Sequence, residues 1–154
     1  MDTPILFTGD LALDDRGTVG FVNDFNFKDV KRFYTVTNHR LGFARDWHGH
    51  KIEFKYATVV SGAAIVAAVK IDHWENPSRD LKIYRYHMSA HKPSVLFIPK
   101  GYANNFMALA EGTKLMFFSN LTVDESKKDD FCYDTMYWNP WTIQGGKFVG
   151  GKVE

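Results

Sequence analysis

The chain has 154 residues, room for one domain with one core, expected over residues 1–154. Its 19 Lys+Arg against 18 Asp+Glu exclude the basic footprint that nucleic-acid binding needs, and its single cysteine, Cys132, excludes an internal disulfide. No segment approaches the roughly 18 apolar residues of a membrane span. The start, Met1-Asp2-Thr3-Pro4, lacks the basic and apolar blocks of a signal peptide, so a soluble cytoplasmic protein without membrane or nucleic-acid partners is expected.

From there on, segments rich in Val, Ile, Phe, Tyr and Thr alternate with turn clusters, and 3.6-residue periodicity is scarce. The predicted strands are Thr18–Asn23, Val30–Thr37, Glu53–Val60, Ala63–Ile71, Lys82–His87, Val95–Ile98, Asn104–Ala108 and Lys114–Ser119. They are separated by Asp14-Asp15-Arg16-Gly17, Ser61-Gly62, Asn76-Pro77-Ser78-Arg79-Asp80, Pro99-Lys100-Gly101 and Glu111-Gly112. Short strands at about 8–12-residue spacing predict an all-β sandwich or small barrel. Ala63–Val69 has the composition of a buried helix, but it follows a Ser-Gly turn and precedes strand-like sequence, so a central strand is expected. The tail, residues 144–154, carries four glycines and is expected to be loose. The aromatic content, 16%, exceeds what a core of this size needs and predicts that some rings line a pocket.

The stretch Arg45-Asp46-Trp47-His48-Gly49-His50-Lys51 carries the most chemistry. On a strand, His48 and His50 share a face, so two imidazoles converge on one cavity, suited to proton transfer near neutral pH or to metal binding. Lys55 has the opposite parity unless a bend after Gly49 resets the phase. Lys31 and Arg32 point to opposite faces of their strand, so at most one reaches a phosphate. Tyr34 reads either as an acid or as a buried aromatic with a bonded hydroxyl. Lys127-Lys128-Asp129-Asp130 reads as a solvated turn. Trp138-Asn139-Pro140-Trp141 reads as closing the end of the sandwich, or else as stacking on a base. Cys132, between Phe131 and Tyr133, reads as a small apolar residue rather than a nucleophile.

Gly42, the pair His48-x-His50, Glu53 and Gly62 together resemble the first cupin motif, and Pro99-Lys100-Gly101-Tyr102-Ala103-Asn104 resembles the second. The resemblance implies a cupin jelly roll. Metal-binding cupins place a third histidine where this chain has Asn104, an amide that is a poor ligand for zinc or ferrous iron, so a metal-free, cofactor-free cupin is expected. A metal held by His48, His50 and Glu53, as in a cupin oxygenase, and a non-catalytic sugar-binding cupin are the readings from other classes.

Among metal-free cupins the chain is similar to enzymes acting on nucleotide-linked 4-keto-6-deoxy sugars. Asp15-Arg16-Gly17, Val30-Lys31-Arg32-Phe33-Tyr34 and Arg45-x-x-His48-x-His50-Lys51 resemble the dTDP-sugar 3,4-ketoisomerases. Leu96-Phe97-Ile98-Pro99-Lys100-Gly101-Tyr102-Ala103-Asn104-Asn105-Phe106, with Arg45, His48 and Lys55, resembles the dTDP-4-dehydrorhamnose 3,5-epimerases. The resemblance implies His48 as base, His50 as a second proton carrier, Lys55 as the positive charge toward an enolate and Tyr34 as acid. Arg45, Arg32, Asn104 and Tyr102 are the implied substrate contacts, with a nucleotide-diphospho-sugar as substrate and a homodimer as the assembly. The epimerases' tyrosine on the strand after the second motif has no counterpart in Leu115–Thr122, and their aspartate partner of the catalytic histidine has no evident match.

Overall fold

Alternation of inward and outward side chains sorts the chain into two five-stranded antiparallel sheets and a separate hairpin, seen in a computed structural model that describes residues 2–143. The expected loose tail, 144–154, lies outside the described residues. The strands are β1 (Ile5–Thr8), β2 (Asp10–Asp14), β3 (Gly17–Phe21), β4 (Arg32–Val36), β5 (Trp47–His50), β6 (Lys55–Ser61), β7 (Ala63–Lys70), β8 (Ile83–Ser89), β9 (Ser94–Ile98), β10 (Tyr102–Ala108), β11 (Lys114–Ser119) and β12 (Phe131–Tyr133). One short helix, α1 (Val123–Lys127), precedes β12. Each of the eight predicted strands is present within a few residues. The order β1-β9-β6-β11-β4 forms one sheet, β12-β5-β10-β7-β8 the other, and β2-β3 the hairpin. This is the jelly roll that the cupin motifs imply.

The central strands are buried on both faces, which is why they read as continuous apolar runs rather than as alternating ones. Ala57, Val59, Leu96, Ile98, Leu115 and Phe117 of one sheet meet Ala64, Val66, Ala68, Met88 and Phe106 of the other, forming the inter-sheet core. Ala63–Val69 is the central strand β7, and its alternate residues Ile65, Ala67 and Val69 face outward beneath Trp47, Trp138 and Trp141. The two C-terminal tryptophans therefore close the sandwich: each is 2% exposed, with Trp138 Nε1 donating to the Ser78 carbonyl at 3.0 Å. Phe25, Val22 and Val30 cover Tyr56, Val95 and Phe97 on the outer face of the first sheet. The aromatic excess thus goes mostly into these two outer layers, and among the described residues the aromatic side chains lining the main cavity are Tyr34, Phe106 and Phe117.

Gly62 sits in the left-handed region at φ 77° between β6 and β7, where a Cβ would collide with Thr113. The tight return it allows puts β6 and β7 in opposite sheets.

Candidate active site

The chain crosses from one sheet to the other between His50 and Lys55, and this crossing builds the site. Asp129 holds the bend: its carboxylate accepts the backbone N–H groups of Lys51, Ile52 and Glu53 at 2.9, 2.8 and 2.9 Å. The bend resets the strand phase, so Lys55 on β6 faces the same interior as His48 and His50 on β5. Lys55 Nζ donates to His50 Nε2 at 3.2 Å. Gly49, between the histidines, lies under Trp74 and Tyr133, where a Cβ would stand 3.1 and 3.3 Å from their rings.

A cavity of about 270 Å³ is lined by Arg32, Tyr34, Arg45, His48, His50, Lys55 and Asn104, with Asp130 at its edge. Seven of the eight residues singled out from the sequence therefore meet at one place. Tyr102 does not. It shares its strand face with Asn104, but its ring leans toward Tyr84 of β8 and its hydroxyl donates to the Asp2 carbonyl at 2.7 Å, so it is a core residue at 2% exposure. Burial pushes its hydroxyl up to about 12.

The histidines differ in surroundings. His48 Nδ1 lies 2.8 Å from Asp130 Oδ1, a geometry in which Nδ1–H donates to the carboxylate and Nε2 keeps its lone pair. Among the described residues, Nε2 has no hydrogen-bond partner. Asp130 is thus an aspartate partner that the sequence did not disclose. Lys127-Lys128-Asp129-Asp130 is no simple solvated turn: Asp129 is 5% exposed and anchors the bend, and Asp130 orients His48. The chain is steered there by α1, whose N-cap Thr122 and Glu125 form a reciprocal capping box legible as Thr-x-x-Glu.

His50 is buried, and its Nδ1–H donates to the Asp129 carbonyl at 2.7 Å while also approaching Glu53 Oε2 at 3.2 Å. Burial, and next the Lys55 charge, hold its pKa below the ordinary value against the opposing pull of Glu53, so His50 stays neutral. Burial alone would raise the Glu53 carboxyl. Lys55, His50 and the hydroxyls of Ser119 and Ser126 outweigh it and hold the group below the usual range. Arg32 Nη2 donates to Glu53 at 3.0 Å, so Glu53 is the hub of a buried charge network and not one of a metal triad with His48 and His50. The donor groups that do converge are His48, Asp130 and Cys132.

Arg32, not Lys31, faces the cavity. Its guanidinium lies 4.6 Å over the Tyr34 ring, and Lys31 pairs outside with Glu125 at 3.2 Å. Tyr34 stacks on Phe117, its partner across β4 and β11, at 5.2 Å, and its hydroxyl has no bonded partner among the described residues. Asn104, opposite His48 in register, likewise turns an amide without a protein partner to the cavity. Arg45 stands at the rim, bonded to Asn38 at 2.9 Å. An adjoining cavity of about 430 Å³ shares Arg45, Asp46 and His48 with the first. Cys132, expected to be a small apolar residue rather than a nucleophile, is exposed on β12 with its thiol beside His48. Partial desolvation of the sulfur and the Asp130 and Asp46 charges raise its pKa, which disfavours the nucleophilic thiolate.

A jelly roll whose cavity holds a histidine–aspartate pair, a buried lysine and a free tyrosine is equipped to move protons at carbon, the chemistry of an isomerase. The chain belongs to the dTDP-4-dehydrorhamnose 3,5-epimerase family, whose model matches residues 5–138. No curated protein matches it in sequence. Among solved structures, the RmlC epimerase of Mycobacterium tuberculosis superposes at TM-score 0.73 with 18% identity, over 94% of this chain and 77% of that one. The dTDP-4-dehydrorhamnose 3,5-epimerase of Bacillus anthracis, with TDP and PPi bound, gives 0.70 and 21%, over 94% and 87%. The 3,4-ketoisomerase QdtA of Thermoanaerobacterium thermosaccharolyticum, in complex with TDP-4-keto-6-deoxyglucose, gives 0.64 and 16%, over 84% and 87%. The neighbours thus span both branches that the motifs resemble.

Proposed function

We propose that the protein epimerises a dTDP-4-keto-6-deoxyhexose at carbon beside the C4 ketone. The observation that carries this reading is His48: its Nδ1–H is tied to Asp130 and its Nε2 is open in a cavity shared with Lys55 and Tyr34. The ketone acidifies the neighbouring C–H bond, and His48 Nε2 removes that proton. The electron pair moves into an enolate, whose oxygen is stabilised by the Lys55 ammonium. Tyr34 returns a proton on the opposite face, which inverts the carbon, and solvent resets both groups. The epimerases' tyrosine strand corresponds to β11, which offers Phe117 here, so the hydroxyl comes from the neighbouring strand.

A cavity of about 270 Å³ suits one sugar ring, with Asn104 bonding a ring hydroxyl and the nucleotide diphosphate extending past Arg45 into the adjoining cavity. Arg32, spent on Glu53, contributes a positive edge and holds Tyr34. No metal or other cofactor enters these steps. The second reading, migration of the ketone between C4 and C3, is favoured by the second imidazole, His50, in the same cavity. The protein acts in the cytoplasm, in the supply of sugars for surface polysaccharide, as one domain that dimerises. Leu13 and Val19, 78% and 64% exposed on the β2–β3 hairpin, favour a second copy covering that hairpin. Sedimentation at equilibrium as a monomer overturns the dimer.

Incubation with dTDP-4-keto-6-deoxyglucose in deuterated water tests the function. Deuterium at C3 and C5 identifies the double epimerase, and deuterium at C3 alone a single epimerisation. A 3-keto product identifies the ketoisomerase, and no deuterium overturns catalysis on this substrate.

A further inference from the structure

The proposed reaction leaves unused a thiol that touches its base. Cys132 lies directly opposite His48 in the β12–β5 register and is exposed. Its Sγ is 3.5 Å from His48 Nδ1 and 3.9 Å from Asp130 Oδ2, and Nδ1 is 2.8 Å from Asp130 Oδ1. One nitrogen, one carboxylate oxygen and one sulfur thus lie within 4.8 Å of one another. With Zn–N and Zn–O about 2.1 Å and Zn–S about 2.3 Å, tetrahedral ligands stand about 3.3–3.7 Å apart. The sulfur–nitrogen spacing is already in this range, the sulfur lies 3.9 Å from Oδ2, and the nitrogen–Oδ1 pair has to open by about half an ångström. Backbone pairing of β12 with β5 holds His48 and Cys132 opposite each other without metal, and Asp130 directly precedes the paired strand.

We infer that His48, Asp130 and Cys132 form a site for a zinc-class divalent cation, and that its occupation silences His48. A mixed nitrogen, oxygen and sulfur set suits zinc and other borderline cations, whereas magnesium and calcium take oxygen ligands. Binding releases the thiol proton to solvent and places the cation on the Nδ1 lone pair. The imidazole proton then resides on Nε2, and a protonated Nε2 has no lone pair with which to take a proton from carbon. The silencing rests on the proposed role of His48 as base; the metal site does not.

Titration of the full-length protein with Co²⁺ reads the site directly. A stoichiometric near-ultraviolet thiolate-to-cobalt band, displaced by Zn²⁺ and lost in Cys132→Ser, is expected. Loss of a ligand in that variant weakens Zn²⁺ binding by more than the about 10–100-fold that loss of a supporting partner costs. Deuterium exchange into the keto sugar reads the consequence. One equivalent of Zn²⁺ abolishes exchange by the wild type, a chelator restores it, and Cys132→Ser exchanges at the wild-type rate with and without Zn²⁺. Absence of the cobalt band, or its persistence in Cys132→Ser, overturns the site. A thiolate band with exchange indifferent to Zn²⁺ overturns the silencing. Metal-free protein that exchanges nothing overturns the proposed reaction, while the cobalt spectrum still decides the site.

Discussion

His48 and His50 share one face of β5, yet their side chains are 44% and 5% exposed and their surroundings differ in kind. His48 is oriented by a carboxylate and keeps Nε2 open to the cavity. His50 is fixed in one tautomer by the Asp129 carbonyl, and its Nε2 is covered by Lys55. The difference divides one His-x-His pair between an open imidazole and an enclosed one: exposure and a partner carboxylate set the first, burial and a capping ammonium the second.

Breaking the buried side has the largest expected effect. Glu53→Gln leaves Arg32 and Lys55 without their carboxylate and costs about 3–5 kcal/mol of stability, measurable by denaturant unfolding. The Glu53 carboxyl is held below its unfolded value, so the unfolded chain binds the proton more readily. The contribution of Glu53 is therefore complete above the ordinary value of 4.5 and is lost as pH falls through the lower folded value. Acid unfolding of Glu53→Gln lacks this component. Lys55→Met comes next: it removes the charge toward the enolate and lowers exchange about 10²–10³-fold, with a smaller change in KM. Tyr34→Phe sharpens the other side of the comparison. Proton removal by His48 continues and return on the opposite face fails, so solvent exchange outlasts inversion in the NMR time course. Tyr102→Phe is the smallest, about 1 kcal/mol of stability from the lost bond to Asp2 and no change in activity.

The strands were legible because apolar runs and turn residues are local signals; His48 and His50 shared a face by strand parity, while Lys55, Arg32 and Tyr34 came from the family resemblance, parity alone placing Lys55 on the other face. Asp130 was not legible. It meets His48 across 82 positions of sequence through a three-residue strand whose pairing no local pattern announces, and Lys-Lys-Asp-Asp has the composition of a solvated turn. Tyr102 failed for a related reason: parity gives the face of a strand but not the direction in which a long side chain leans along it. The aromatic excess foretold rings in the cavity but not which or how few, because composition counts rings and does not say whether they cover the inner or the outer face of a sheet.

The central claim is that His48, not His50, is the base. Its most direct test is deuterium exchange into dTDP-4-keto-6-deoxyglucose by folded His48→Asn and His50→Asn. The account predicts that His48→Asn loses exchange by about 10²–10⁴-fold with its melting curve intact, while His50→Asn keeps exchanging at reduced stability. Exchange at the wild-type rate in His48→Asn would contradict it.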